Sequence, residues 1–247
     1  GVILPFNYQY ELSSWIYKII SQVDGEYAHF LHQNGYESNK RSFKFFCFSN
    51  LHIPQYKVIR NIGFLLQTRQ LEFQIGFYMD SAAEKFIAGL FQHQKGSIGT
   101  KEHQVDFSVQ HIETIPIRVI EERIKLKTIS PLVVTQRNER NNKDYIYPLD
   151  DSFKELLIRN LIEKYKATDQ EIPPHWKHYP FVLEIADKEN IRSKLVTIKQ
   201  NTPDATHVRG YLFEFTLQAP KELLEIGLAT GFGNENAQGF GMCEIVE

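Results

Sequence analysis

The sequence predicts an α+β protein made of two tandem βαββαβ, ferredoxin-like units packed together, the first with its opening strand missing or much reduced. Three observations lead there. Helical and alternating segments follow one another in an order that repeats once along the chain. At 247 residues the chain can hold two small domains, each with its own core. No low-complexity linker separates the halves, so residues 1–124 and 125–247 are expected to form two units in contact.

The elements follow in order. "QYELSSWIYKIIS" places Leu12, Trp15, Ile16, Ile19 and Ile20 on one helical face. "GEYAHFLHQNG" reads as a second short helix that stops at Gly35. "RSFKFFCFSNL" reads as one alternating strand, with Lys44 opposite Phe43, Phe45 and Cys47. "LEFQIGFYM" is a strand with its odd positions apolar. "DSAAEKFIAGLFQH" follows as a helix capped by Asp80 or Ser81, presenting Ala83, Phe86, Ile87 and Leu90. Residues 105–120 give another extended run.

The second half repeats the pattern. "IKLKTISPLVV" is a strand interrupted by Pro131, which suggests an edge or a bulge. "DDSFKELLIRNLIEKYK" is a helix capped by Asp151 or Ser152, with Phe153, Leu156, Leu157, Leu161 and Ile162 inward. "YPFVLEIA" and "RGYLFEFTLQA" are extended, "PKELLEIGLA" is a helix with Pro220 near its first turn, and "GFGMCEIV" closes the sheet.

Composition narrows the function classes. A formal net charge of −2 argues against a protein that coats nucleic acid through a large basic excess, although local basic clusters exist. These are Lys40, Arg41 and Lys44; Arg137, Arg140 and Lys143; and Arg192, Lys194 and Lys199. No apolar run reaches the roughly 18–20 residues of a membrane span, so no membrane association is expected. Cys47 and Cys243 fall in apolar runs and read as free core thiols of a cytoplasmic protein.

The densest glycine segment is "GFGNENAQGFGM", Gly231 to Met242. It lies between a helix and the last strand, the reverse of the strand–loop–helix context of a dinucleotide fingerprint, and it lacks the Lys-Ser/Thr of a Walker loop. Glycines before a strand often serve only to supply positive φ. A doubled Gly-x-Gly also lets backbone approach an anion, and on a ferredoxin-like sheet the natural extended anion is an RNA backbone.

The segment "GFGNENAQGFGMCEIV" resembles the glycine-rich signature of the CRISPR-associated repeat-processing endoribonucleases, the sixth Cas family of the RAMP superfamily. "PFNYQYELSSWIYKII", "FLHQNGY", "FKFFCFSNL", "TISPLVV" and "YIYPLDDSFKELLIRNLIEKY" are similar to further segments of that family, in the same order. The resemblance implies a metal-independent endoribonuclease acting on CRISPR repeat RNA in a precursor guide RNA. Attack by a 2′-hydroxyl would leave 2′,3′-cyclic phosphate and 5′-hydroxyl ends. It implies Tyr17, His32 and Lys44 as the catalytic set. Imidazole as a residue type suits general-acid work, and lysine suits charge stabilisation at the phosphate. A phenol is a poor base at its ordinary pKa of about 10, so Tyr17 either has that value lowered by Lys44 or only positions the 2′-hydroxyl.

The expected RNA-binding set is Gly231, Gly233, Asn234, Asn236, Gln238, Gly239 and Gly241 of the loop, with Arg192, Lys194 and Lys199. The insert "NENAQ" departs from the family pattern in carrying Glu235 and no basic residue. The loop would therefore use backbone N–H groups and amide side chains, or pack the seam between the units. His29 and His32 lie three apart, as do His175 and His178, without further ligands at metal-site spacing, and no metal or other cofactor is expected. Further implied partners are a CRISPR effector complex and a second copy of the chain. The alternatives are a non-catalytic RNA-binding subunit of the same superfamily, or a module for a small ligand or protein whose RNA affinity would show no salt dependence.

Overall fold

The computed structural model describes residues 1–200 and 202–246. The first half runs β1 (Ile3–Pro5), α1 (Gln9–Val23), α2 (Gly25–Gln33), β2 (Tyr36–Ser38), β3 (Arg41–Phe43), β4 (Phe46–Phe48), β5 (Tyr56–Ile59), β6 (Gly63–Leu66), β7 (Ile75–Phe77), α3 (Asp80–Gln92), β8 (Lys95–Gly99) and β9 (Gln104–Ser108). The opening strand is thus present, though reduced to β1, which pairs antiparallel with β6. β5 and β4 pair with β6 and β7 respectively, so the stretches 46–59 and 63–77 form two long bent strands beside β1. Helices α1 and α3 pack together over this sheet, burying Leu12, Ile16, Ile19, Phe86 and Leu90.

The second half runs β10 (Arg123–Thr128), β11 (Thr135–Arg137), β12 (Lys143–Tyr145), α4 (Asp151–Lys166), β13 (Val182–Ile185), β14 (Arg192–Ile198), β15 (Thr206–Leu212), β16 (Glu214–Gln218), α5 (Lys221–Thr230) and β17 (Cys243–Ile245). Its antiparallel sheet has the order β13-β16-β10-β17, which is the ferredoxin-like arrangement. The β14–β15 hairpin is an insertion between the second and third strands. Phe153, Leu157 and Leu161 of α4 meet Leu223 and Leu224 of α5 and Phe215 and Leu217 of β16 in the core.

The two cores interlock. Phe45, from the first half, is buried in the second core, while Ala237 from the glycine-rich segment is buried in the first.

Several local expectations need correction. "RSFKFFCFSNL" is not one strand: β3 ends at Phe43, Phe45 takes φ +53°, and β4 begins at Phe46. A left-handed conformation at a bulky residue breaks the alternation, and Lys44 stands at the break. β10 is an interior strand, and Pro131 lies beyond its end, where its carbonyl accepts the N–H of Gly241. Helix α3 starts after Met79 without a side-chain cap, and its buried face uses Ala82 and Gly89, with Ile87 exposed. Asp150 caps α4, accepting from the N–H of Ser152. The extended run from residue 105 forms strand only to Ser108; beyond it the chain is mostly exposed and leaves Ile115 and Ile120 open to solvent.

Candidate nuclease site

Tyr17, His32 and Lys44 come from three elements and meet at one place. Tyr17 lies on α1 beside its buried face of Ile16 and Ile20, which turns the phenol toward α2. Asp24 separates the two helices and caps α2 by accepting from the N–H of Tyr27 at 2.9 Å. Leu31 anchors the last turn of α2 in the core, so the next side chain, His32, projects to the surface. The Tyr17 and His32 rings are 5.3 Å apart, edge to face. The Lys44 Nζ donates to the carbonyl of His32 at 3.1 Å and to Ser42 Oγ at 3.2 Å. Gly35, at φ +66°, permits this packing, because a Cβ there would meet the Phe43 carbonyl and the Lys44 Cδ.

The electrostatics differ between the three. Burial pushes the Tyr17 phenol well above its ordinary value. Burial pulls the Lys44 ammonium down, and the carboxylate of Glu37 opposes that shift. His32 is exposed, and its Nδ1 lies 3.2 Å from the Gln33 amide nitrogen. Gln33 thereby engages Nδ1 and not Nε2. The arrangement brings an imidazole, an amine and a phenol hydroxyl to one place, groups able to move a proton and to face an anion.

The glycine-rich segment has a different character. Its backbone N–H groups at Phe232, Asn234, Gln238, Gly239 and Gly241 all donate to carbonyls within the protein. Asn236 is turned inward: its amide donates to the carbonyls of Phe232 and Phe240, and its Oδ1 accepts from the Lys164 Nζ at 2.7 Å. Lys164 also reaches the carbonyl of Gly231 at 2.5 Å. Asn234 Oδ1 accepts from the N–H of Thr135, and the Gln238 Oε1 is buried without a partner. Phe232 and Phe240 are fully buried, each contributing roughly 2–3 kcal/mol relative to exposure. Ser13 of α1 donates to the Ala237 carbonyl at 2.7 Å, so the segment ties the second unit to the helix that carries Tyr17. Glu235 is neutralised from outside the segment, by Lys143 at 2.6 Å.

Gly241, at φ +77°, would press a Cβ onto the Phe232 carbonyl. Gly241→Ala is therefore expected to cost about 2 kcal/mol or more, read as a lower urea midpoint with an unchanged slope.

The three remaining basic candidates separate. Arg192 is exposed on β14 and borders the groove between the two sheets. Lys194 points toward the first unit, 3.5 Å from Asn50 Oδ1, and burial lowers it to about 8. Lys199 pairs with Asp204 at 3.8 Å near the hairpin turn. The groove carries Arg69, Arg118 and Lys127 but also Glu72, Asp106, Glu113, Asp187, Glu214 and Glu244, so it is not a basic track. Tyr17, His32 and Lys44 lie outside it. Among the described residues no three His, Cys, Asp or Glu side chains cluster as metal ligands, and no helix is long and apolar enough to cross a membrane.

Sequence reasoning missed Lys164, Glu163, Ser13 and Asn50. Only Lys164 left a signal: Phe153, Leu157, Leu161 and Lys164 keep the spacing of one helical face, so the lysine had to point into the core.

Tandem ferredoxin-like units with a glycine-rich segment closing the second define the class of fold. Residues 3–113 match the family described as CRISPR-associated protein Cas6, N-terminal, and residues 113–245 match CRISPR associated protein Cas6, C-terminal. The chain belongs to the Cas6 family. It is 32% identical over 248 residues to the CRISPR-associated endoribonuclease Cas6 1 of Methanocaldococcus jannaschii, covering 99% of this chain and 88% of that one. A solved structure of a Cas6-related protein from Pyrococcus furiosus superposes with a TM-score of 0.81 at 23% identity, covering 99% of this chain and 93% of the other. A RAMP protein described as binding different RNA substrates matches with a TM-score of 0.81 at 22% identity, over 100% of this chain and 94% of the other.

Proposed function

We propose that this chain is an endoribonuclease that cuts CRISPR repeat RNA out of a longer precursor, without a metal, to yield guide RNAs. The observation that carries the reading is the meeting of Tyr17, His32 and Lys44 at one exposed point. The ribose 2′-hydroxyl oxygen attacks the adjacent phosphorus as its proton passes to water, and the bond to the 5′-oxygen of the next nucleotide breaks. His32 in its imidazolium form gives a proton to that leaving oxygen and is left as neutral imidazole, and the Lys44 cation faces the charge gathering on the phosphoryl oxygens. The raised phenol of Tyr17 supports a hydrogen-bonding, positioning role over that of a base. The products are a 2′,3′-cyclic phosphate and a 5′-hydroxyl. The exposed Lys40 and the neighbouring Arg41, on the hairpin next to Lys44, extend the positive surface along which RNA would lie. The glycine-rich segment acts by holding the units in register, since Ser13, Lys164 and its own N–H groups at Phe232, Asn234, Gln238, Gly239 and Gly241 tie it into the protein.

The test is cleavage of the repeat RNA from the array beside the coding gene, in EDTA, with analysis of the product ends. Cyclic-phosphate ends at undiminished rate are expected. Salt-sensitive binding without cleavage would instead identify a non-catalytic RNA-binding subunit.

A further inference from the structure

The hairpin that carries Lys44 into place is held at its tip by the other domain. β2 and β3 are three residues each, joined by Asn39 and Lys40 at φ +46° and +63°, a two-residue left-handed turn. Strands this short do not fix a hairpin by their own pairing. At its base, Tyr36 stacks on Phe45 at 4.8 Å between ring centres, and the Tyr27 and Tyr36 hydroxyls lie 3.2 Å apart. At its tip, Glu163 of α4 accepts from Ser38 Oγ at 2.8 Å and from Asn39 Nδ2 at 2.7 Å, both on the same carboxylate oxygen. The second oxygen accepts from the Lys166 Nζ at 3.1 Å. Glu163 is 8% exposed. Burial alone would raise its carboxyl, but the donors Ser38, Lys166 and Asn39 outweigh burial and hold it below the ordinary value.

The consequence runs along β3. Ser42 donates to the Asn34 carbonyl and receives Lys44, whose Nζ then reaches His32. A tilt of the hairpin tip moves Ser42 and Lys44 together. We propose that Glu163, from the second domain, is a positioning residue for the reaction, setting the place of Lys44 through the β2–β3 tip. The inference rests on the nuclease reading given above. It also gives the pairing of the two domains a functional meaning, because the site on the first domain is completed by a contact from the second.

The experiment uses the full chain and single-turnover cleavage of repeat RNA. Glu163→Ala is expected to slow cleavage about tenfold with RNA affinity within twofold, since a misplacement well under 1 Å suffices for such a loss. Glu163→Gln keeps an acceptor oxygen and is expected to recover most of the rate. In a Lys44→Ala background, Glu163→Ala is expected to add little, because both changes remove the same contribution. An equal fold-loss in both backgrounds, or an undiminished rate in Glu163→Ala, would overturn the proposal. If Glu163→Ala fails to fold, the double change Ser38→Ala, Asn39→Gly removes both donors from the hairpin side and carries the same cycle.

A second readout does not depend on activity. NMR titration of the Lys44 side chain, assigned with Lys44→Arg, is expected to show its midpoint moving toward that of a free lysine in Glu163→Ala. Glu37, on the same hairpin, is the charged group facing Lys44 and is retained in both proteins, so the shift reports the change in their placement. An unmoved midpoint rejects the positioning role. If the wild type proves not to cleave, the nuclease reading fails, and this titration still decides whether Glu163 places Lys44.

Discussion

His32→Ala is expected to reduce single-turnover cleavage of repeat RNA by about 10²–10³-fold while leaving RNA affinity within about twofold. The imidazole lies at the surface on the last turn of α2, so its removal leaves no buried hole and should not unfold the protein. Its ring contact with Tyr17 is edge to face at 5.3 Å and contributes little beyond about 1 kcal/mol. A general acid acts mainly on the transition state, in which the 5′-oxygen acquires charge, and hardly at all on bound substrate. The loss therefore falls on the chemical step rather than on binding. Wild-type rates in His32→Ala would remove His32 from the mechanism. A matched fall in affinity and rate would make it a binding residue instead. Replacing the 2′-hydroxyl nearest the cut with 2′-deoxy should abolish cleavage in both proteins, which separates transesterification from attack by water.

The sequence made the fold legible where apolar spacing decides structure. The inner faces of α1 and α4 follow from i, i+3, i+4 spacing, and the ferredoxin-like order of the second sheet follows from the succession of elements. It failed where one backbone angle decides. Nothing in "SFKFFCF" announces that Phe45 adopts φ +53° and turns into the second core, splitting one expected strand into β3 and β4. The site is a harder case. Tyr17, His32 and Lys44 stand on two helices and a turn, so no single periodicity relates them, and only the resemblance singled them out. Glu163 and Lys164 stand at the end of a helix, and the helical spacing shows only that Lys164 points inward; what each one holds lies more than 60 positions away and follows from tertiary placement.

Those adjacent residues of α4 divide a single task. Glu163 reaches outward to the hairpin that carries Lys44, and Lys164 reaches inward to the segment that Ser13 ties to the helix of Tyr17. One turn of one helix thus holds both sides of the site. The glycines of the signature are needed for the close approaches this requires: at Gly231, φ +84°, a Cβ would meet the Asn236 amide and Cys47.

Lys164→Met is expected to destabilise the protein by about 2–4 kcal/mol at pH 8, and by less at pH 6. The side chain is fully buried, and methionine fills most of its volume, so the cost comes from polar groups. The Gly231 carbonyl and Asn236 Oδ1 each lose a donor inside the core, at roughly 1–3 kcal/mol apiece. The pH dependence follows from the amine. Burial lowers it from 10.5 to about 7, with the nearby thiols of Cys47 and Cys243 pulling the other way. Between those values the unfolded chain binds a proton that the folded chain does not, so raising the pH stabilises the fold. From pH 7 to 8 the gain from Lys164 is about 1 kcal/mol, and Lys194, lowered to about 8, adds in the same sense. Above that range the buried thiols act oppositely. Cys47 is raised to about 12 by burial, so stability falls once the unfolded thiols ionise, which confines the reading to pH 6–8. Urea titrations of both proteins across that window decide the matter. Parallel curves, with the same cost at pH 6 and pH 8, would show that Lys164 enters the core without the penalty on its charge, and the link between its protonation and the glycine-rich segment would be lost.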